Sequence, residues 1–143
     1  MPDTVDALLR MTIAQLDHLF GVSPAGSIPE GYGEGTVITG PDAAFNRRLA
    51  KFAATCLWQG KFFDAEHGTL ANVVAGCRVI TADVYSSLSL YDDNPCILLD
   101  YSKNSLIANH LRDEIRLLEP GFYLGKAYWN SRPWIHFCLQ FAG

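Results

Sequence analysis

The sequence of 143 residues predicts a mainly β protein in which about eight antiparallel strands close into a barrel. Three observations lead to this prediction. Short apolar or alternating segments follow one another from residue 35 onwards, turn-forming residues separate them, and most of the turns are short enough for hairpins. A barrel of about eight strands has an interior just large enough for side chains or one small ligand. The function therefore depends on what fills that interior.

The composition excludes several classes of protein. With 49% hydrophobic and 18% charged residues, the chain can bury a core and is not disordered. Five of the 15 acids but only one of the 11 bases lie in residues 1–34, so the rest of the chain is neutral and offers no basic surface for nucleic acid. No apolar run approaches the ~20 residues that span a bilayer. Since the first 20 residues also lack a signal-peptide pattern, we expect a cytoplasmic protein with no membrane partner.

The sequence contains no pattern that would hold a metal or a nucleotide. Its cysteines are widely spaced, without a C-x-x-C pair or a cluster of histidines, and are expected to be buried thiols. The glycines of Gly31–Gly35 resemble a dinucleotide-binding loop only superficially, because no strand precedes them. We therefore expect no metal and no cofactor.

The pattern divides the chain into a helix over residues 1–22, a Gly/Pro-rich arm over 23–34 and a barrel domain over 35–143. Apolar residues recur at three- and four-residue steps between Thr4 and Val22, which predicts one amphipathic helix. This helix is expected to be an appendage on a flexible or extended arm, and it could serve as the arm of a homodimer.

The predicted barrel begins with a strand over Gly35–Thr39. A helix from about Asp42 to Leu57 is inserted after this strand and would act as a lid or plug at one end of the barrel. Residues 104–118 are either a helix or a loop to about Leu111 followed by a strand, and the Pro120–Gly121 turn favours the strand. The other predicted strands are Trp58–Asp64, Thr69–Ala75, Arg78–Leu88, Pro95–Ser102, Arg112–Leu118, Phe122–Asn130 and Pro133–Ala142.

Aromatic residues concentrate in the last two strands, and both faces of this hairpin are expected to be at least half buried. On the last strand, Ile135 and Phe137 begin a pure core face, whereas Trp134 and His136 lie on a mixed face. The hairpin is either ordinary core or one wall of a ligand cavity. The candidate ligand-binding residues along the chain are Trp58, Phe63, Asn72, Tyr85, Tyr101, Tyr123, Tyr128, Trp129 and Trp134.

Several charged residues lie within apolar strands. Lys61 either extends to the rim or pairs with a carboxylate, and Asp100 follows four apolar positions, where a carboxylate needs a partner. On the strand 112–118, alternation places Asp113 with Ile115 on one face and Glu114 on the other. Two interpretations of these charges are open. In the first, Glu114 and its neighbouring arginines form a ladder of ion pairs on the outer surface. In the second, an acid of this strand meets Asp100 or Lys61 inside the barrel, where desolvation would raise the pKa of the acid. The candidate catalytic residues are Asp100, Glu114, Lys61, Arg112 and His136.

From about Gly31 to its end, the chain resembles small bacterial and fungal lipocalin-like proteins. The resembling stretches are Trp58–Lys61 with Phe63–Asp64, then Asn72, Asp100–Ser102, Arg112–Arg116, and Pro120–Gly121 with Tyr123–Lys126. The resemblance implies a calycin-type barrel but no fixed reaction. Barrels of this superfamily hold lipids, haem or pigments, and some cyclise or isomerise polyketide-like metabolites. Haem would need an axial histidine, for which His136 is the only candidate on a predicted strand, and no wider haem motif accompanies it.

Two functional hypotheses follow, and a third is kept. The first is a cofactor-independent acid–base enzyme that isomerises, cyclises or lactonises a polyketide-like or aromatic metabolite. In this enzyme, Asp100 or Glu114 would be the base, and Lys61 or Arg112 would be the cation that stabilises an enolate. His136 or Tyr123 would be a second proton carrier. The alternative is a carrier or sensor of a hydrophobic small molecule, and the third is a filled barrel that acts in protein interaction. Several ionisable groups converging in the cavity would favour the enzyme, whereas one lone anchor would favour the carrier.

Overall fold

Eight antiparallel strands form a closed barrel in sequential order, with the first strand paired to the last, in the computed structural model. The structure describes residues 4–38, 57–103 and 108–142. The strands are β1 Gly31–Ile38, β2 Trp58–Asp64, β3 Thr69–Val74, β4 Cys77–Leu88, β5 Pro95–Asp100, β6 Leu111–Glu119, β7 Phe122–Trp129 and β8 Arg132–Phe141. The prediction of a mainly β, closed barrel of about eight strands is confirmed.

The N-terminal segment contains two short helices, α1 Val5–Leu9 and α2 Ile13–Val22, so the prediction of one continuous helix is wrong. The break lies at Thr12, whose side chain accepts a hydrogen bond from the backbone of Gln15 while the Gln15 side chain accepts one from the backbone of Thr12. This capping box satisfies donors that would otherwise be orphaned at the start of α2. Among the described residues, no helix is long and apolar enough to cross a membrane.

Both helices pack on the outer face of the barrel instead of extending from it as an appendage. One apolar cluster joins the helices to β1 and to β6–β8, and its buried members are Leu8, Leu16, Leu19, Phe20, Ile38, Leu118, Phe122, Leu124 and Cys138. This part of the barrel therefore buries side chains on both faces, which explains the high apolar content of β7 and β8.

The segment between α2 and β1 lies against the end of the barrel where β1 begins. The backbone N–H of Leu117 donates to the carbonyl of Pro24, and the Tyr123 hydroxyl donates to the carbonyl of Ser27. β1 starts at Gly31, four residues before the predicted start at Gly35. The glycines that indicated an arm therefore belong partly to a strand.

The sequence left a helix to be tested in two connections of the barrel, the one before β2 and the one before β6. The helix predicted from Asp42 to Leu57 lies outside the described residues except for Leu57, which is a turn residue directly before β2. A short 3₁₀ helix, Ala108–His110, precedes β6, and β6 begins at Leu111, so the prediction of a strand from about Leu111 is confirmed.

Candidate functional site

The barrel interior contains a cavity of about 130 Å³ at the end where β1 finishes and β2 begins. The cavity wall is almost wholly apolar, but three polar side chains reach it. The described residues that line it are Val37, Trp58, Lys61, Asn72, Val74, Ile80, Leu111, Asp113, Ala127, Trp134, Ile135 and Phe137. At the opposite end, the interior is filled by the rings of Phe63, Tyr123 and Phe141 in edge-to-face contact. Among the described residues, the cavity therefore lies at one end of the barrel and aromatic rings fill the other end.

The three polar side chains of the cavity belong to one buried network centred on Lys61. The side-chain nitrogen of Lys61 donates to Asn72 Oδ1 and to the Tyr101 hydroxyl, each at 2.7 Å, and lies 2.9 Å from Asp113 Oδ2. The Lys61 and Asp113 side chains are each only 4% exposed. An ammonium has three protons, so these three partners account for all of them.

Asn72 and Tyr101 complete this network. Asn72 donates both protons of its amide, to the Ile80 carbonyl and to the Tyr101 hydroxyl, each at 2.9 Å, and its oxygen also accepts from Trp58 Nε1 at 3.0 Å. The Tyr101 hydroxyl donates to Asp113 Oδ2 at 3.4 Å. A buried ion pair needs such additional hydrogen bonds, because the attraction between the two charges alone does not offset their desolvation.

The two carboxylate oxygens of Asp113 have different environments. Oδ2 forms the ion pair with Lys61 and accepts the hydrogen bond from the Tyr101 hydroxyl. No described residue donates a hydrogen bond to Oδ1. Since Asp113 lines the cavity, its side chain offers one hydrogen-bond acceptor that no described residue uses. This unused oxygen is the main chemical feature of the cavity.

The environment keeps Lys61 protonated. Desolvation is the largest single influence and lowers the pKa of Lys61, but the Asp113 carboxylate and the Tyr101 oxygen together outweigh it, so the pKa is raised. Burial also raises the pKa of the Tyr101 hydroxyl, which therefore stays protonated at neutral pH.

Aromatic rings surround the ammonium of Lys61. Its nitrogen lies 5.5 Å from the ring centre of Trp58, 5.3 Å from that of Tyr101 and 5.4 Å from that of Phe137, which are cation–π distances. Glycines make room for two of these rings, because a Cβ on Gly35 would clash with Trp58 and one on Gly125 with Phe137. A glycine inside a strand often marks such a close approach.

The structure brings some of the predicted site residues together at the cavity. Lys61, Trp58, Asn72 and Trp134 line it, and Tyr101 contacts it through the network. Phe63 and Tyr123 also point inwards, but they fill the closed end. Trp129 is 39% exposed and packs against His110 and Trp134 at the rim.

The predicted carboxylates are placed elsewhere. Asp100 points outwards into an external cleft, where it accepts a hydrogen bond from Tyr85 at 2.6 Å. Glu114 is fully buried but lies outside the barrel, and it accepts from Ser89, from the backbone of Leu90 and from Arg112. Neither acid meets Lys61, and Arg112 does not reach the cavity either.

His136 and Tyr128 also lie outside the barrel, beneath α2. Asp17 of α2 accepts from Lys126 at 2.6 Å and from His136 Nε2 at 2.8 Å. The hydroxyl of Tyr128 is buried with no hydrogen-bond partner among the described residues, and burial raises its pKa. Within the described part of the chain, no group of three or more His, Cys, Asp or Glu side chains could hold a metal ion.

Asp113 is the functional candidate that the sequence argument did not select. The alternation of β6 already placed Asp113 on the same face as the apolar Ile115, which is 0% exposed. The register then pairs Asp113 with Leu99 of β5 and Ala127 of β7, both interior residues. A charged residue that shares a strand face with the core was the available signal.

Comparison with known proteins supports the fold and nothing finer. No protein-family model matches the chain, and no curated protein matches it. A solved structure described as the crystal structure of a protein from Thermomonospora curvata is similar, with a TM-score of 0.67 and 14% sequence identity, over 97% of this chain and 93% of that chain. At this identity the likeness shows a shared fold alone.

Proposed function

We propose that this protein binds a small, largely apolar molecule in the barrel cavity and transfers a proton at Asp113 without a cofactor. The observation that carries the proposal is the buried carboxylate of Asp113, which lines an apolar cavity and whose Oδ1 oxygen accepts no hydrogen bond from the described residues. The proposal keeps the acid–base class expected from the sequence and changes the residue. The lipocalin-like resemblance is consistent with a ligand-binding barrel.

The network gives each polar residue a separate role in this proposal. The Asp113 carboxylate is the proposed base, and Lys61, whose nitrogen lies 2.9 Å from it, is its counter-ion. Asn72 and Tyr101 orient the ammonium through their hydrogen bonds. An isomerisation in which the same group removes a proton from one carbon atom of the bound molecule and returns it to another needs only proton transfer, so this set of residues suits that reaction best.

A carrier or sensor without chemistry is the second candidate, and one observation favours it. All three protons of Lys61 are directed at protein partners, so the network holds no spare proton donor that would protonate a substrate at a second position. In that case Asp113 is a single anchor for the ligand.

The binding proposal is tested by what co-purifies with the protein. Ala127 lines the cavity and is 2% exposed, so the substitution Ala127→Leu fills part of the cavity. We expect mass spectrometry of an organic extract to detect a small molecule with the wild-type protein and much less of it with Ala127→Leu. Ala142→Leu, at an exposed position, is the matched control and should retain the molecule. Equal recovery from all three proteins, or none from the wild type, would contradict the proposal.

Proton exchange separates the enzyme from the carrier. In deuterium oxide, an acid–base enzyme incorporates deuterium at a carbon of the bound molecule, and we expect Asp113→Asn to reduce this exchange by at least ~100-fold, as is typical for loss of a general base. Asp100→Asn is the matched control, because Asp100 faces outwards. Circular dichroism confirms that each variant is folded. Binding without exchange in the wild type would identify a carrier.

A further inference from the structure

We infer that the ligand of this cavity is electrically neutral and presents an O–H or N–H group to Asp113 Oδ1. The inference rests on the proposed function in one respect only, namely that the cavity takes a small molecule. Two independent features of the site carry it: its charge balance and its supply of hydrogen-bond donors and acceptors.

The charges at the cavity cancel. Among the described residues that line it, Lys61 and Asp113 are the only charged ones, and their charged atoms are 2.9 Å apart. A third charge brought into this apolar space would find no free counter-ion among the described residues, because each of these two ions already has its partner. A buried ion without a partner is strongly unfavourable. The site therefore discriminates against both anions and cations.

The hydrogen-bonding groups of the network are almost all occupied. Lys61 and the amide of Asn72 have no proton left, and the indole N–H of Trp58 is held by Asn72. Within the part of the network that the structure describes, the acceptor Oδ1 of Asp113 remains for a ligand. A molecule that only accepts hydrogen bonds gains nothing from this network, whereas a hydroxyl or amino group completes it.

The size of the cavity determines which small molecules can be used as test ligands, here called probes. A cavity of about 130 Å³ is close to the ~150 Å³ of an apolar protein cavity that accommodates benzene. Phenol, toluene, benzoate and benzylammonium are single-ring molecules that differ in the group they carry. At pH 7 they represent a neutral donor, a neutral molecule without a donor, an anion and a cation.

Binding of these four probes to the wild-type protein is measured by protein-observed NMR titration. We expect phenol to bind roughly 10-fold or more tightly than toluene, because only phenol can donate a hydrogen bond to the charged oxygen of Asp113. Benzoate and benzylammonium should each bind on the order of 100-fold more weakly than phenol. The shifted signals should belong to cavity residues such as Val37, Ala127 and Ile135.

Charge-changing variants provide the sharper test. Asp113→Asn leaves Lys61 without its counter-ion, so the preferred probe should change to benzoate. Lys61→Met leaves Asp113 uncompensated, so the preferred probe should change to benzylammonium. The double variant Lys61→Met/Asp113→Asn restores neutrality and should again discriminate against both ions. If a single variant does not fold, the wild type and the double variant still decide the question.

The outcomes separate this inference from the proposed function. If toluene and phenol bind the wild type equally, or if an ion binds as tightly as phenol, the cavity remains a ligand site but the inference is overturned. If the preferred probe stays the same in folded single variants, the inference is also overturned. If none of the four probes binds, both the inference and the proposed binding site fail.

Discussion

At the scale of single residues, the least expected feature is an ion pair in the middle of a β-barrel. Removing Lys61 and Asp113 from water is unfavourable, and the hydrogen bonds of Asn72 and Tyr101 offset this only while both ions are present. The pair is therefore a poor source of net stability, but each ion depends strongly on the other.

This dependence predicts an asymmetric response to mutation. Lys61→Met should lower the free energy of unfolding by about 3–5 kcal/mol, because it leaves the Asp113 carboxylate buried without a partner. The double substitution Lys61→Met/Asp113→Leu should recover most of this loss, since it replaces the pair with apolar groups. Equilibrium unfolding in urea measures both values.

An exposed ion pair provides the matched control for this experiment. Lys103 and Asp83 are 3.3 Å apart with side chains that are 85% and 38% exposed. Lys103→Met should change the free energy of unfolding by less than about 1 kcal/mol, because solvent screens such pairs. Equal losses for Lys61→Met and Lys103→Met would show that burial does not determine the strength of the dependence.

At the scale of elements, the two faces of β6 have separate tasks. Its inner face carries Asp113 and the core residue Ile115, whereas the outer face fastens neighbouring segments to the barrel. There, Arg116 donates to the Asp92 carboxylate and to the carbonyl of Phe20, and Glu114 holds the turn between β4 and β5. Arg116 lowers the pKa of Asp92 to about 2, so this contact persists well into the acidic range.

The sequence predicted the strands because their alternation and turns are local properties. It could not assign inner and outer faces, since alternation alone does not say which face the closed barrel encloses. Asp113 and Glu114 are neighbours, and only the register with β5 and β7 decides that Asp113 is inside. His136 lies on a buried face outside the cavity because α2 covers it, a tertiary contact between residues 119 positions apart in the chain.

The contact between α2 and the barrel predicts a dependence of stability on pH. Desolvation and the nearby Lys126 ammonium lower the pKa of His136 below its ordinary value of 6.5, while Asp17 opposes them. The unfolded chain therefore takes up a proton at His136 that the folded protein does not, and the free energy of unfolding should fall as the pH drops below about 6.5. Urea unfolding at several pH values between about 7.5 and 5.5 measures this.

Substitution identifies the histidine responsible for this effect. His136→Gln should flatten the pH dependence in that range, and His18→Gln, which removes an exposed histidine of α2, is the matched control. Asp92 does not interfere, because its pKa of about 2 lies far below the range. The same slope in wild type and His136→Gln would contradict the assignment.

At the scale of the whole molecule, the apolar residues that the structure describes form two cores. One fills the barrel, and the other lies between its outer face and the N-terminal helices. The strands β6, β7 and β8 contribute to both cores, so the helices and the barrel share a wall of side chains. Since these cores are joined through the same strands, we expect them to unfold as one cooperative unit.

Leu16→Ala tests this cooperativity. Leu16 of α2 is 1% exposed in the outer core, so its truncation should cost about 2–5 kcal/mol of unfolding free energy. Trp58, Trp129 and Trp134 all lie in the barrel, so their fluorescence reports on the barrel, while far-ultraviolet circular dichroism includes the helices. In urea, the unfolding midpoints measured by both signals should move to lower urea concentration together.

Ile13→Ala is the matched control. Ile13 lies on the same helix and is 45% exposed, so its truncation should move the two midpoints much less. A variant that loses helical signal before tryptophan fluorescence changes would show that the helices are a separate, weaker unit.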